Sequence, residues 1–267
     1  MTELVFLKLG GSLITDKTGE LTARPRVIRR LAREVRAALN KRPDLKLVLA
    51  HGSGSFGHVI ASRYGTRKGV RGPEAWRGFA EVADAAAHLN GIVREACIQE
   101  GIPVLSLTPC ALTRCEKGVV TKLDLTPIHA ALKADLVPLV YGDVAFDSAW
   151  GGTITSTEEL FVYLAREMSP ARILLVGDTP GVFGQASTTR VVPVVTPATF
   201  ASISPALDGA RSTDVTGGMA TKVTQMLSLV EHSPRLVVHI LSGKTPGLVQ
   251  RVLVSPDVST GTRLLAR

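Results

Sequence analysis

The chain has 267 residues, of which 45% are hydrophobic and 20% are charged, so its composition excludes an intrinsically disordered protein. Its formal net charge of +8 and isoelectric point near 9.7 suit nucleic acid, an anionic membrane surface or a phosphate-rich small substrate. Because only 4% of the residues are aromatic and no basic run is interleaved with aromatics, base stacking on nucleic acid is not expected.

The cysteines and the N-terminal residues indicate where the protein works. Cys97, Cys110 and Cys115 form neither a CxxC pair nor a metal-binding quartet, and an odd number is a poor disulfide framework. No basic residue precedes the first apolar run, and no segment reaches the roughly 18 apolar residues of a membrane span. We expect a reduced, cytoplasmic protein with no protein-bound metal, no membrane contact and no nucleic-acid partner.

Short apolar runs alternate with helical patterns along the chain. Runs of strand length, rich in Val, Ile and Leu, occur at 4–9, 45–50, 103–107, 136–140, 173–176 and 236–241. Such runs are typical of strands buried on both faces. Apolar residues at helical spacing predict helices near 25–39, 73–99, 157–168 and 217–230. The alternation predicts an α/β fold, a three-layer αβα sandwich around a mainly parallel central sheet.

The chain shows no internal repeat, low-complexity tract or linker. We expect residues 1–267 to form one domain with two approximate lobes, 1–168 and 169–267, each holding a group of strands. Periodicity fades between Thr196 and Gly218, and this segment is interpreted as a mobile segment over a site.

The first candidate phosphate-binding element is KLGGS, residues 8–12, at the end of the first predicted strand. Its two glycines let the backbone approach a ligand closely, and successive amides there can cradle phosphate oxygens. Lys8, with Lys17 shortly after it, would supply positive charge. The alternative is an ordinary strand-to-loop turn with solvated lysines, and the segment is not a Walker loop.

The second candidate element is HGSGSFGH, residues 51–58, which follows the second predicted strand and leads into a helix. Three glycines and two serines place unobstructed amides at the carboxyl edge of a parallel sheet, where ligands of such folds bind. His58 at the far end would donate a hydrogen bond or positive charge to a bound phosphate. The alternative is a capping or core histidine, an interpretation that fits His51 better.

The third candidate element is DVTGGMATK, residues 214–222, at the start of the last predicted helix. Asp214 or Thr216 can cap that helix, the glycines leave its first turn bare, and Lys222 lies about one turn in. This arrangement makes a second phosphate-binding pole. Taken alone, the segment is equally a glycine-rich helix start with a surface lysine.

The order of these three elements resembles the amino acid kinase superfamily, in which KLGGS opens the chain and GGMxxK lies near its end. Within it, HGSGSFGH resembles the loop of isopentenyl phosphate kinases, as do YGDV at 141–144 and GTI at 152–154. The similarity covers essentially the whole chain from Lys8 onward. The resemblance implies ATP- and Mg²⁺-dependent phosphorylation of isopentenyl phosphate to isopentenyl diphosphate. It also implies that the protein is a homodimer and that the reaction belongs to isoprenoid biosynthesis by a mevalonate pathway.

The resemblance also assigns roles to residues. His58 would hydrogen-bond the acceptor phosphate, Lys8 and Lys17 would hold the transferred phosphoryl group, and Glu158 would organise the lysines. Acceptor binding is expected at Gly52, Ser53, Gly54, Gly57, His58, Phe79, Val82, Gly142, Val144, Ile154 and Thr157. Nucleotide binding is expected at Lys8, Gly10, Gly11, Ser12, Ser53, Asp178, Gly181, Gly217, Gly218 and Lys222. Lobe 1–168 would bind the acceptor and lobe 169–267 the nucleotide.

The sequence departs from that pattern in three places and leaves alternatives open. Ser53 replaces a frequent glycine of the second loop, and its amide is still available. Glu158 stands where relatives commonly have aspartate, and Pro180 interrupts a nucleotide segment that usually carries a second acid. Apolar residues at helical spacing, such as Phe79 and Val82, are also ordinary core residues. A fosfomycin kinase and a non-catalytic small-molecule sensor of the same fold are the alternatives, and an apolar pocket around Phe79 would favour the prenyl phosphate.

Overall fold

The structure of the protein is a computed structural model that describes residues 2–16, 18–184, 190–208 and 218–267. Two predicted site residues, Lys17 and Gly217, lie outside these ranges, as do the predicted helix-capping residues Asp214 and Thr216. No helix within the ranges is long and apolar enough to cross a membrane.

The strands of the described ranges form two sheets. In chain order they are β1 (Glu3–Leu9), β2 (Leu45–His51), β3 (Val104–Ser106), β4 (Thr113–Glu116), β5 (Val119–Leu123), β6 (Val137–Tyr141), β7 (Asp143–Asp147), β8 (Gly151–Thr155), β9 (Arg172–Gly177), β10 (Val194–Val195), β11 (Val237–Ser242) and β12 (Thr262–Leu264). The main sheet has the order β10-β12-β11-β9-β1-β2-β6-β3, and its neighbours are parallel except for β11 and β12. All six predicted strands lie in this sheet.

Helices connect the strands. In chain order they are α1 (Gly11–Ile14), α2 (Pro25–Lys41), α3 (Gly54–Tyr64), α4 (Gly72–Gln99), α5 (Pro109–Leu112), α6 (Thr126–Lys133), α7 (Thr157–Met168), α8 (Pro197–Asp208), α9 (Gly218–His232) and α10 (Leu248–Val254). A short 3₁₀ turn, Thr66–Lys68, follows α3. The four predicted helices correspond to α2, α4, α7 and α9.

Strand β1 shows how the main sheet builds two cores. Because side chains alternate across a strand, Val5 and Leu7 face a hydrophobic cluster formed with α2, α4 and α10, whereas Phe6 faces the cluster formed with α7 and α9. The ring of Phe6 packs 5.1 Å from that of Phe161, centroid to centroid. Each such fully buried side chain contributes about 1.5–3 kcal/mol. The three-layer fold around a mainly parallel sheet is confirmed.

The smaller sheet, in the order β5-β4-β7-β8, was not predicted. In β7 the usual pattern is inverted, because Asp143 and Asp147 are buried while Phe146 is 47% exposed. Asp147 is held by hydrogen bonds from four backbone amides, which offset the cost of burying its carboxylate. Hydrophobic periodicity therefore gives no strand signal here.

Part of the segment between Thr196 and Gly218 is regular, since residues 197–208 form helix α8. That the segment is mobile and covers a site stays a prediction. Helix α8 begins at Pro197, a position that favours proline because its missing N–H has no partner there. Thr196 caps it, and its hydroxyl accepts from the amide of Thr199 at 3.3 Å. Residues 209–217 lie outside the described ranges.

Candidate active site

Three strand ends of the main sheet meet at one edge. The amide of Gly10, after β1, donates to the carbonyl of Val176 in β9 at 2.7 Å. The amide of Gly52, after β2, donates to the carbonyl of Leu9 at 3.0 Å. These bonds extend the parallel pairing past the carboxyl ends of the strands, where ligands of open α/β sheets bind. The first and second predicted loops therefore lie side by side.

The two glycine-rich loops touch through their backbones. A Cβ on Gly11 would lie 2.4 Å from the amide nitrogen of Gly54. A Cβ on Gly54, whose φ is +51°, would lie 2.2 Å from Oγ1 of Thr15. That oxygen accepts from the amide of Ser55 at 3.0 Å and donates to the carbonyl of Gly11 at 2.8 Å. Only glycine permits this approach at both positions, and the loops form one continuous backbone surface.

Glu158 joins the first predicted element to the third. Its side chain is buried, its Oε2 accepts a hydrogen bond from Nζ of Lys8, and its Oε1 lies 3.9 Å from Nζ of Lys222. Burial alone would raise the pKa of Glu158, but attraction by Lys8 and then by Lys222 outweighs it and holds the pKa below its usual range. Two ammonium groups from distant parts of the chain are thus held by one charged carboxylate.

The position of Glu158 follows from the way α7 begins. Oγ of Ser156 accepts from the amide of Glu159 at 3.2 Å, and the Glu159 carboxylate accepts from the amide of Ser156 at 2.6 Å, which completes a capping box. In the first turn, Oγ1 of Thr157 donates to the carbonyl of His51 at 2.8 Å. Thr157 therefore ties α7 to the end of β2 and brings Glu158 to the loops.

Several predicted nucleotide-binding residues lie toward β9, which neighbours β1 on the side away from β2. Oγ of Ser12 donates to Oδ1 of Asp178, just after β9, at 3.0 Å. Gly218 begins α9 with a φ of +65°, which other residues rarely adopt. A Cβ on Gly181 would lie 2.7 Å from Oγ1 of Thr262, so packing alone already requires glycine there.

A cavity opens beside the second loop. Its lining residues are Ser53, Gly57, His58, Ala61, Arg67, Val82, Ala86, Gly142, Asp143 and Ile154. Polar loop atoms and a histidine thus share the cavity with aliphatic side chains, a combination suited to a ligand that carries both a phosphate and a hydrocarbon tail. Of the predicted acceptor residues, six are in this lining: Ser53, Gly57, His58, Val82, Gly142 and Ile154.

Five predicted acceptor residues are not in the lining: Gly52, Gly54, Phe79, Val144 and Thr157. Two of them, Phe79 and Val144, are core side chains. Phe79 is 7% exposed, and its ring centroid lies 5.2 Å from that of Trp76 and 5.4 Å from that of Phe146. Val144 is fully buried and pairs with Ile154 across the β7–β8 hairpin. Both pack in the core, where they support the side chains that do line the cavity.

The two histidines of the second loop have different surroundings. His51 is fully buried, with Nε2 3.3 Å from Oδ1 of Asn90 and its ring stacked 5.4 Å from that of Tyr141. Burial lowers the pKa of His51 to about 4, so it is neutral near pH 7. The interpretation of His51 as a core histidine is confirmed. His58, on α3, is half-buried and lines the cavity.

Asp143 is a cavity residue to which the sequence assigned no role. It is 2% exposed, and its carboxylate accepts from the amides of Val144 at 2.8 Å and Cys110 at 3.2 Å. Burial raises the pKa of Asp143 to about 6, although both hydrogen bonds act to lower it. Its charge therefore changes just below neutral pH.

Three further lining residues were not predicted. Ala61 lies one turn after Gly57 and His58 on α3, and Ala86 lies one turn after Val82 on α4. Helical spacing from predicted residues is therefore a signal that could have found both alanines. Arg67 lies in the 3₁₀ turn after α3, outside any motif, and nothing in the sequence marks it.

Comparison with known protein families identifies the family of the chain. The model of the amino acid kinase family matches residues 3–242, a range that includes all three glycine-rich elements. The chain therefore belongs to the amino acid kinase family, and it is a phosphotransferase.

Within that family, the chain groups with the isopentenyl phosphate kinases. The isopentenyl phosphate kinase of Methanothermobacter thermautotrophicus is 31% identical over 274 residues, which cover 99% of this chain and 100% of the relative. That of Haloferax volcanii is 34% identical over 252 residues, covering 93% and 98%. A solved isopentenyl phosphate kinase structure has a TM-score of 0.82 at 30% identity and covers 98% of this chain and 100% of its own.

Proposed function

We propose that the protein transfers the γ-phosphoryl group of ATP to isopentenyl phosphate and releases isopentenyl diphosphate and ADP. The observation that carries the proposal is the contact of Glu158 with both Lys8 and Lys222 beside the paired glycine-rich loops. The two relatives with nearly complete coverage are named for this activity, which supports the choice of acceptor.

Charge neutralisation is the main chemical requirement of this reaction. The acceptor phosphate has a second pKa of about 6, so it is largely dianionic at neutral pH and needs no strong general base. Two polyanions must instead be held in line while charge spreads over the transferring group. Glu158 holds the ammonium groups of Lys8 and Lys222 at a fixed place, where their positive charge requires no reorganisation during transfer. We assign Lys17 to the same task by resemblance.

In this proposal His58 binds the acceptor phosphate. It lies in the first turns of α3, whose exposed amides carry partial positive charge that favours an anion. Gly57, next to it, faces Ser53 so closely that a Cβ would lie 2.5 Å from Oγ of Ser53. The bare backbone at Gly57 thus leaves the phosphate access to the loop amides, with Gly52 and Gly54 below it.

The hydrocarbon tail of the acceptor lies against Val82 and Ile154 in this proposal. Both are part of the cavity lining, and both belong to the hydrophobic cluster that contains Phe79 and Val144. Removing a five-carbon chain from water is worth about 0.8 kcal/mol per buried CH₂. The aliphatic lining, which a small polar phosphonate such as fosfomycin would not need, favours the prenyl phosphate.

ATP binds across the first loop and the start of α9 in this proposal, where Gly10, Gly11 and Ser12 lie on one side and Gly218 and Lys222 on the other. Mg²⁺ neutralises phosphate charge when bound and commonly keeps several waters, with phosphate oxygens as its other ligands. Within the described ranges, no group of three or more His, Cys, Asp or Glu could form a separate cage. The donor set therefore fits an ion that arrives with the nucleotide.

Other parts of the proposal concern the whole molecule. Lobe 1–168 binds the acceptor, since the cavity lining comes from it, and lobe 169–267 binds the nucleotide through Asp178, Gly181 and the start of α9. A homodimer, a cytoplasmic location and a place in isoprenoid biosynthesis by a mevalonate pathway are predictions from family resemblance. Light scattering tests the dimer, for which we expect a mass of twice 28.3 kDa.

A panel of acceptors tests the proposed function. Purified protein is incubated with Mg-ATP and isopentenyl phosphate, dimethylallyl phosphate, fosfomycin or glutamate, and ADP release is followed. We expect release with the first two acceptors. Absence of release with both would contradict the proposal, release with fosfomycin alone would indicate a phosphonate kinase, and acceptor binding without turnover would indicate a sensor.

A further inference from the structure

Arg67 connects two parts of the acceptor side. Its side chain is 28% exposed, and it forms part of the cavity lining. Its guanidinium donates to the carbonyl of Ile154 and, through both terminal nitrogens, to the two carboxylate oxygens of Glu159, with Nη1 3.0 Å from Oε2. A planar fork on a carboxylate is among the stronger and more directional protein contacts.

The partners of Arg67 are both parts of the site. Ile154 lines the cavity, so its carbonyl fixes the wall on which we place the hydrocarbon tail. Glu159 caps α7 through Ser156 and directly follows Glu158, which holds the lysines. One guanidinium therefore bonds to the cavity wall and to the helix turn that positions the transferring charges.

The backbone on either side of Arg67 strengthens this connection. The carbonyl of Arg67 accepts from Oγ1 of Thr153 at 3.2 Å, and the amide of Val70 donates to the carbonyl of Trp150 at 2.9 Å. The turn after α3 is thus bonded along β8 by side chain and main chain together. Because α3 also carries His58, loss of the contact between Arg67 and Glu159 would act on the acceptor end of the site.

The surroundings of this pair differ from those of an ordinary surface pair. The side chains of Arg67 and Glu159 are 28% and 16% exposed. Arg33 also makes two hydrogen bonds to one carboxylate, that of Glu100, but its side chain is 66% exposed. Solvent screens the second pair much more than the first, so it serves as a matched control.

We propose that Arg67 is a positioning residue that couples the acceptor cavity to the start of α7, so that loss of its bond to Glu159 weakens acceptor binding more than ATP binding. The inference rests on the proposed function, because isopentenyl phosphate is the acceptor. Arg67 contacts the acceptor side directly, through the carbonyl of Ile154, but reaches Lys8 and Lys222 only through Glu159 and the first turn of α7. The capping box with Ser156 also holds that turn, so acceptor binding depends on Arg67 more than ATP binding does.

The test compares Arg67→Met, Glu159→Gln and the double variant with wild type. Glutamine at the third position of a helix still accepts the capping-box hydrogen bond, so Glu159→Gln weakens the bond to Arg67 and preserves the cap. Arg33→Met is the control. KM for isopentenyl phosphate, KM for ATP, kcat and the melting temperature are measured for each protein.

Each single substitution is expected to raise the acceptor KM about tenfold, which corresponds to ~1.4 kcal/mol, with the ATP KM within about twofold of wild type. The acceptor KM of the double variant should not exceed that of the more impaired single variant, since the two residues act through one bond. Arg33→Met should leave both KM values unchanged.

Several distinct results would overturn the inference. A lower melting temperature with unchanged KM values would make Arg67 purely structural. Equal increases in both KM values, or additive effects in the double variant, would show that it does not act on the acceptor through Glu159. If wild type itself does not turn over isopentenyl phosphate, the proposed function fails and the inference with it, whereas an active wild type with unaffected variants rejects the inference alone.

Discussion

Two carboxyl groups of the site, Glu158 and Asp143, are buried to a similar degree, and their pKa values are shifted in opposite directions. Glu158 lies between Lys8 and Lys222, and its pKa is held below the usual range. Asp143 has two backbone amides as hydrogen-bond donors, and burial raises its pKa to about 6. Burial penalises the charge of both, so the partners decide the outcome. The lysine end of the site has a permanent charge pattern, whereas the cavity wall changes charge near neutral pH.

The largest effect is expected from breaking the lysine end. Glu158→Gln keeps the shape of the side chain and removes its charge, so Lys8 and Lys222 lose the carboxylate that offsets their mutual repulsion. We expect kcat to fall by a factor on the order of 10³, as for the loss of a preorganised charge-stabilising group. Steady-state kinetics measure it, with Glu167→Gln, an exposed position on the same helix, as the control. A kcat within tenfold of wild type would show that the lysines keep their places without Glu158.

A smaller effect is expected at the phosphate end of the cavity. His58→Ala removes a donor to the acceptor phosphate, and we expect kcat to fall on the order of 10² while the circular dichroism spectrum is unchanged. His129→Ala, at an exposed position on α6, is the control. Turnover within a few-fold of wild type would return His58 to a structural role.

The third prediction concerns stability and sharpens the contrast at Asp143. Because the pKa of Asp143 is raised from 3.8 to about 6, the folded protein binds its proton more tightly than the unfolded chain does. Its contribution to the free energy of unfolding is therefore fully present below pH 3.8 and is lost as pH rises through about 6. The loss amounts to roughly 2–3 kcal/mol at 1.36 kcal/mol per pKa unit.

Urea unfolding of wild type and Asp143→Asn between pH 4 and 7 measures this loss. The difference between the two proteins should change across that range, because asparagine does not titrate. Asp84→Asn, at an exposed position on α4, should show the pH dependence of wild type. Parallel curves for wild type and Asp143→Asn would mean that Asp143 titrates at its ordinary pKa.

The sequence predicts those elements whose residues follow the rule of apolar inside and polar outside. Strands β1 and β9 each contain four consecutive apolar residues, at 4–7 and 173–176, and α2 has a clear apolar face, so all three elements were predicted. Strand β7 was missed because Asp143 and Asp147 are buried and Phe146 is exposed. Backbone amides from other segments make that inversion stable, and no local pattern records them.

The same distinction holds within the site. Lys8, the loop at 51–58 and Lys222 carry local motifs, and the structure brings all three to one edge of the sheet. Arg67 has no such motif, because its role depends on Glu159, which is 92 residues further along the chain. Phe79 and Val144 were predicted as pocket residues from family resemblance, but side-chain packing, which spacing alone does not determine, places them in the core. The roles of all the predicted site residues stay predictions, and Lys17 and Gly217 also lie outside the described ranges.

Transfer of a phosphoryl group to a phosphate acceptor is most directly measured by ³¹P NMR of isopentenyl phosphate, ATP and Mg²⁺ with the purified protein. We expect the monoester resonance of isopentenyl phosphate to be replaced by the two coupled resonances of a diphosphate, with one ADP formed for each. Appearance of inorganic phosphate and ADP, while the isopentenyl phosphate resonance is unchanged, would contradict the proposed function.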